Sequence, residues 1–362
     1  MEDFSNEKEA ESANINCASC GAMLNYDIAS GNLKCDHCGS IQVIEADNAV
    51  QRREISSEVL GTRAEWKDGT VHRCDNCGAK EVLNKNDISK ICAFCGSGNI
   101  ILQSELAGIQ PDSVIPFQIN QDKAEIKFKE WMKKRWFAPS AFKHADIRQH
   151  MNAVYCPNWS FSAKTESTYN GTLGRRQTRT NSRGQFETYI RYYRVNGSIS
   201  QDYFDYCVQS GTKISPAVFN KIKPFNMKLL KVYRQEYLSG IIAEHYSRNL
   251  ETCFDDFTKY VKSDLRQRII RRHNADVVQS MNINVNYRDK KFNYVLLPIY
   301  ICNYMYNKKN YNFYVNGVDG KVVGSYPKSK IKIFFAILLG GALIIGGLML
   351  AGILFGGNTE IF

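Results

Sequence analysis

Residues 333–355 read IFFAILLGGALIIGGLMLAGILF, a run of 23 residues without a charge, an amide or a proline. At about 1.5 Å per helical residue this run reaches about 34 Å, and the hydrocarbon core of a bilayer is about 30 Å thick. A helix in a soluble core usually keeps a polar stripe, whereas this one is apolar on every side. The run therefore predicts one C-terminal transmembrane helix.

The charges on either side of this span predict its orientation. Lys328, Lys330 and Lys332 precede it, and the short tail of residues 356–362 carries Glu360 as its only charged side chain. Positive charge favours the cytoplasmic side of a membrane. Residues 1–16 form an acidic leader, expected to be disordered, without the apolar stretch of a signal peptide. We expect a single-pass protein of the cell membrane whose N-terminal body lies in the cytoplasm.

The chain has 12 cysteines, and eight of them form two copies of the pattern C-x2-C-x14-C-x2-C. The second copy follows the first at an offset of 57 residues, so one small module is repeated. In a reducing compartment this spacing favours metal binding over disulfides. A thioredoxin-like redox motif would need one pair rather than two matched sets. The candidate ligands are Cys17, Cys20, Cys35 and Cys38 in the first copy and Cys74, Cys77, Cys92 and Cys95 in the second.

This spacing suits zinc for a geometric reason. Two residues between cysteines let both sulfurs of a tight turn face one ion, and the glycine after each pair permits a positive φ. Two such turns joined by a hairpin make a closed tetrahedral site for Zn²⁺. We predict tandem zinc ribbons at 17–44 and 74–103, joined by a linker at 45–73 and holding two structural Zn²⁺. His37 and His72 are expected at the surface.

Residues 104–327 are predicted to form an α+β body of antiparallel sheet and amphipathic helices. Helices are expected at about 120–136 and 249–273, where apolar residues recur at helical spacing. The first helix carries lysines on its polar face; a solvated face is preferred over contact with lipid headgroups. Strands are expected within 155–210 and at 294–306, 311–315 and 321–323.

The segment 171–184 is interpreted as a flexible loop with Arg175, Arg176, Arg179 and Arg183. Such a loop is compatible with contact to nucleic-acid phosphates, with contact to lipid phosphates, or with a solvated hairpin tip.

Enzymatic motifs are missing from the sequence. There is no G-x-x-x-x-G-K-[ST] phosphate loop, no G-x-S-x-G and no H-E-x-x-H. Closed four-cysteine sites also leave no open coordination position for substrate. The sequence therefore predicts a protein that is not an enzyme. The four remaining cysteines are interpreted as apolar core residues: Cys156, Cys207, Cys253 and Cys302.

Seven segments occur in a fixed order along the chain: the two cysteine modules, VIPFQ at 114–118, the lysine-rich helix segment 131–136, YCPNWSF at 155–161, LLPIY at 296–300 and YVNGVDGKVVG at 314–324. This order resembles bacterial membrane-anchored proteins with TFIIB-type zinc ribbons, often labelled primosomal protein N′ or DNA helicase-like. The missing phosphate loop contradicts a helicase function.

The resemblance implies partners of the SPFH (flotillin-like) or phage-shock-protein-A-like classes, in a membrane-stress system. The expected function is a membrane-anchored scaffold or adaptor that docks such proteins at the cytoplasmic face. The alternative is a membrane-tethered nucleic-acid-binding protein that uses the ribbons and the arginine loop. Membrane lipid is an expected contact of the basic body, whose chain carries a net charge of +11. Small residues such as Ala342 and Gly346 also indicate a helix partner within the membrane.

Overall fold

The computed structural model describes residues 16–45, 47–56, 70–83, 92–97, 100–103, 109–143, 151–307 and 309–355. The acidic leader up to residue 15, the middle of the linker and the tail at 356–362 lie outside the described residues. The described part is a mixed α+β protein with mainly antiparallel sheets and one apolar C-terminal helix.

The first cysteine module forms its own antiparallel sheet from β1 (Leu24–Asp27), β2 (Asn32–Cys35) and β3 (Ile41–Gln42). It lies against the body through Tyr26, whose ring centroid is 5.6 Å from that of Tyr237. The backbone N–H of Tyr26 also donates to the carbonyl of Ser239 at 2.9 Å. The module is therefore a separate sheet that docks on the body by one side.

Twelve further strands of the described chain form one larger sheet. Its two longest strands, β9 and β13, run antiparallel from the pair Val277↔Gly174 to the pair Cys302↔Met151. The strands are β4 (Arg53–Glu54), β5 (Thr70–Cys74), β6 (Lys80–Leu83), β7 (Ile100–Gln103), β8 (Ser113–Val114), β9 (Met151–Thr180), β10 (Phe186–Gln209), β11 (Lys231–Val232), β12 (Ile242–Glu244), β13 (Val277–Tyr306), β14 (Lys309–Asn316) and β15 (Val322–Gly324).

Five helices complete the described fold, and the two predicted for the body are confirmed. Asn120 and Asn249 cap them, each accepting a hydrogen bond of 3.0 Å from the backbone N–H three residues on. The helices are α1 (Gln121–Lys133), α2 (Ser140–Lys143), α3 (Pro216–Ile222), α4 (Leu250–Arg272) and α5 (Lys330–Phe355).

The distal halves of β9, β10 and β13 extend together as a three-stranded arm, with β9 in the middle. Helix α4 covers one face of the arm, and its buried residues recur every three or four positions. The other face carries short polar side chains, such as Asn170 beside Asn196 and Asn282. The buried face of α4 consists of Leu250, Cys253, Phe257, Val261, Leu265 and Ile269.

The interpretation of 171–184 as a loop is wrong. Strand β9 continues to Thr180, and the turn occupies only the few residues before β10 begins. The glycines that suggested a loop mark close packing instead. A Cβ on Gly171 would lie 2.3 Å from the carbonyl oxygen of Ser280, and one on Gly174 would lie 2.6 Å from the Ile190 side chain.

The second cysteine module continues the large sheet. Its strand β6 pairs antiparallel with β12, and β12 pairs in parallel with β9. Strands β5 and β7 extend the sheet outward from β6. The two repeats therefore differ in their setting, because the first keeps its own sheet while the second forms the edge of the body sheet.

Candidate metal centres

All four C-x-x-C turns fold in the same way. In each, the glycine that follows the pair donates its N–H to the carbonyl of the first cysteine, at 2.7 to 2.9 Å. The backbone N–H of the first cysteine in turn donates to the carbonyl of the residue that follows this glycine, at 2.7 to 2.9 Å. Each glycine has a φ between +69° and +76°, the left-handed conformation that glycine adopts most readily. These glycines are Gly21, Gly39, Gly78 and Gly96.

The turns bring the eight predicted ligands together as two clusters of four sulfurs. Within each cluster all the sulfur atoms lie within 4.8 Å of one another. Two sulfur pairs in the first cluster are 3.5 Å apart, and two in the second are 3.7 Å apart. A disulfide needs about 2.05 Å. Four thiolates around Zn²⁺, each about 2.3 Å from the ion, would be about 3.8 Å apart. The donor set and its spacing fit a tetrahedral metal ion.

Ser40 is a neighbour of the first cluster that the sequence did not identify. Its hydroxyl oxygen lies 2.9 Å from the sulfur of Cys17 and 3.0 Å from that of Cys38. This hydrogen bonding lowers the pKa of Cys17 to about 6 and lowers the pKa of Cys38 as well. The serine thus favours the thiolate form that binds metal. Its only signal in the sequence is the tripeptide CGS, which recurs at residues 95–97.

The second cluster is held by side chains of the body. The buried Glu81 carboxylate accepts a hydrogen bond from the Ala93 N–H at 2.9 Å, and Asn303 donates to the Ala93 carbonyl at 3.0 Å. The ammonium of Lys213 donates to the carbonyl of Cys77. Both turns are therefore fixed by residues far away in sequence, which no local pattern could have indicated.

The two clusters differ in exposure. Cys20 and Cys38 of the first cluster are exposed, whereas Cys77 and Cys95 of the second are half-buried. Burial raises the pKa of the Cys77 and Cys92 thiols. A bound cation would hold them as thiolates at neutral pH.

A concave surface of about 320 Å³ adjoins the first cluster. Cys17, Ser40 and Ile41 line it, and Ile41 is 57% exposed. Val43, which follows the end of β3 at Gln42, is 71% exposed. Strand β3 is an edge strand of the module's sheet, and Ile41 in it and Val43 just after it thus expose apolar side chains beside the first cluster.

The other predicted features are placed as follows. His37 is exposed as expected, but His72 is only 9% exposed, because its strand β5 lies within the body sheet. The prediction for His72 is therefore wrong. The four single cysteines, Cys156, Cys207, Cys253 and Cys302, are all buried, which confirms their assignment to the core.

The predicted arginines lie on the distal hairpin of the arm. Two of them have partners in the protein: Arg175 contacts the residues after α4, and Arg179 contacts the neighbouring strand β10. Arg175 donates to the carbonyls of His273 and Asn274, and Arg179 pairs with Glu187 at 3.1 Å. Beside them Phe186 is 84% exposed.

Helix α5 is long and apolar enough to cross a membrane, and none of its residues 330–347 is buried against the rest of the protein. Its first turn meets the body at residues 137–138, where Phe137 accepts a hydrogen bond from the N–H of Ser329 at 2.8 Å.

Comparison with known proteins identifies a similar chain in Bacillus subtilis (strain 168), the uncharacterized protein YdjG. The two are 29% identical over 353 residues, covering 94% of this chain and 98% of the relative. The similarity thus extends over nearly the full length of both chains. No protein-family model matches the chain, and no solved structure matches it.

Proposed function

We propose that the chain is a non-enzymatic scaffold that docks protein partners at the cytoplasmic face of the cell membrane. In this proposal α5 is the membrane anchor and each cysteine cluster holds one structural Zn²⁺. Four thiolates complete the coordination of such an ion and leave no position for substrate. Zinc therefore serves to make the modules rigid.

The observation that carries the proposal is the exposed edge of the first module. Ile41 at the start of β3 and Val43 just past its end are exposed beside the first sulfur cluster, on a small sheet that packs against the body. An exposed apolar strand at a sheet edge is suited to the addition of a partner's strand. The resemblance to membrane-anchored zinc-ribbon proteins makes flotillin-like and phage-shock-protein-A-like proteins the first partner classes to test.

The test is a crosslinked pull-down of the full-length protein from membranes, with and without nuclease. We expect a protein partner that resists nuclease and is lost with the variant I41S/V43S. A matched control is Ile101→Ser, which changes an equally exposed isoleucine on the second module. A partner retained equally by both variants would rule out β3 as the docking edge.

The alternative, a membrane-tethered nucleic-acid-binding protein, is favoured by one observation. The distal hairpin exposes Phe186, Tyr189 and Tyr192 close to Arg183 and Arg191. Aromatic rings and arginines together suit single-stranded nucleic acid. Such binding would weaken linearly in log K with log salt concentration and would be lost in the variant F186S/R191Q.

A further inference from the structure

The root of α5 lies against one small part of the body. Ser329 donates its N–H to Phe137, and the ammonium of Lys332 donates to the carbonyl of Ala138 at 2.8 Å. The ring of Trp131 packs edge-on against Tyr326, with centroids 5.9 Å apart. The end of α1 is therefore fixed at the level where the apolar helix leaves the body.

A large aromatic side chain is exposed at this level. Trp136 is 60% exposed, although its neighbour Phe137 packs edge-on against it at 5.2 Å. Tryptophan is enriched at membrane–water boundaries, because its ring is apolar and its N–H needs a polar partner. Its position beside the first turn of α5 is the position such a residue would occupy.

The two chain segments that meet at the root carry charge of one sign. Residues 131–143 and 325–355 contain seven basic residues and no acidic ones. Two lysines in the middle of α1 have acidic partners instead, since Lys127 pairs with Glu130 and Lys129 pairs with Glu125. The end of α1 that meets α5 therefore carries positive charge that no acidic residue of these two segments balances.

We propose that Lys133, Lys134, Trp136, Lys328 and Lys330, here called the root surface, bind anionic phospholipid headgroups. This inference rests on the proposed anchoring by α5. Each basic residue close to an anionic leaflet adds to the electrostatic attraction between the protein and the membrane. The sequence favoured a solvated lysine face on α1, and that preference is here reversed for Lys133 and Lys134 only.

The test uses the full-length protein in nanodiscs of phosphatidylcholine with or without phosphatidylglycerol, with bromine on the upper part of the acyl chains. Bromine quenches only nearby tryptophan fluorescence. We expect the wild type to be quenched more than Trp136→Phe, because the substitution removes the tryptophan at the boundary. We also expect the quenching of Trp136 in discs that contain phosphatidylglycerol to be weaker in K133Q/K134Q than in the wild type. The control Lys123→Gln, at the other end of α1, should be quenched as strongly as the wild type.

Two results would overturn the inference while leaving the anchor in place. The first is equal quenching of the wild type and Trp136→Phe. The second is quenching of Trp136 that is the same with and without phosphatidylglycerol and the same in K133Q/K134Q as in the wild type. Failure of the proposed function is seen separately, by flotation. If the full-length protein does not float with vesicles, α5 is not an anchor.

Discussion

Ser40 is the side chain that supports two of the four candidate ligands of the first cluster. Because its hydroxyl lies within hydrogen-bond distance of both Cys17 and Cys38, Ser40→Ala removes a donor that can stabilise either thiolate. Loss of such an outer partner typically lowers metal affinity about 10- to 100-fold. We expect this loss in competition with a chromophoric chelator, and we expect S40A to release one metal at higher pH than the wild type.

The control for this prediction is Ser19→Ala, an exposed serine inside the first turn of the same module. It should leave the affinity unchanged. Equal effects of the two substitutions would show that the Ser40 hydroxyl does not support the thiolates.

Glu244 makes stability depend on pH. Burial raises the pKa of this carboxyl to about 7 from its ordinary value of 4.5, and the nearby Glu81 adds to the rise while Lys213 opposes it. The folded state therefore binds more protons than the unfolded state between these values. The contribution of Glu244 to stability is fully present below about pH 4.5 and falls as the pH rises to about 7, by about 3 kcal/mol in total.

Glu244→Gln should remove this dependence, because an amide does not titrate. The measurement is the free energy of unfolding of the metal-loaded protein between about pH 5.5 and pH 8. We expect a decline for the wild type and a flatter profile for the variant. Parallel profiles would assign the pH dependence to other groups.

Sequence reasoning predicted the cysteines that form the two sulfur clusters but not the residues that support them, for a physical reason. The ligands are local, since each pair sits in one tight turn whose spacing and glycine are visible in the chain. The supports of the second cluster are distant: Asn303 reaches Ala93 across 210 positions and Lys213 reaches Cys77 across 136. Such contacts follow from the sheet topology, which the cysteine spacing does not encode.

At the scale of elements, the two cysteine modules should respond differently to loss of metal. The first has its own sheet, so C20S/C38S should leave the body folded. In the second, C77S/C95S would free the turn at Ala93 that Glu81 and Asn303 hold. Each buried hydrogen-bonding group left without a partner costs about 1–3 kcal/mol, so we expect a loss of about 2–6 kcal/mol in body stability.

Thermal unfolding and metal analysis together test this difference. Each double variant should hold one metal ion per chain where the wild type holds two. Only C77S/C95S should lower the midpoint of the main transition. Equal destabilisation by both variants would mean that the first module also supports the body.

The arm shows where prediction of elements succeeds and fails. Helix α4 was predicted because its apolar residues recur at helical spacing over a long segment. The distal half of β13 was missed, although MNINVNY at 281–287 alternates apolar and polar residues as a strand does. The glycines of β9 indicate a loop from the sequence alone, whereas in the structure Gly171 and Gly174 permit close packing in a strand.

At the scale of the whole molecule, the arm tip and the anchor lie at opposite ends of β9. Phe142 packs on Tyr304 and Tyr306 at the end of β13 that is near the root of α5. The hairpin tip follows Thr180, and the 30 residues of β9 span about 95 Å along the strand. This separation argues against contact between the hairpin arginines and a membrane that α5 would span. We therefore assign lipid contact to the root surface, and we expect any partner of the hairpin tip to be a molecule other than lipid.

The anchor and the root surface should contribute separately to membrane attachment. Deleting residues 333–362 keeps the contacts of Ser329 and Lys332 with the body but removes the apolar part of α5. We expect the truncated protein to bind anionic vesicles only at low salt. The remaining attraction is between charges, which 0.1 M salt screens beyond about 10 Å.

Full-length protein should resist both high salt and alkaline washing, because an inserted helix is held by its apolar surface. The metal content of the truncated protein should match that of the full chain, and its circular dichroism should differ only by the loss of the apolar helix, since none of residues 330–347 is buried in the body. If the truncated protein also withstands high salt, then attachment does not depend on α5 and another apolar surface of the body must enter the membrane. If it fails to bind anionic vesicles at low salt, the charges at the root are too weakly placed to contribute, and α5 alone holds the protein.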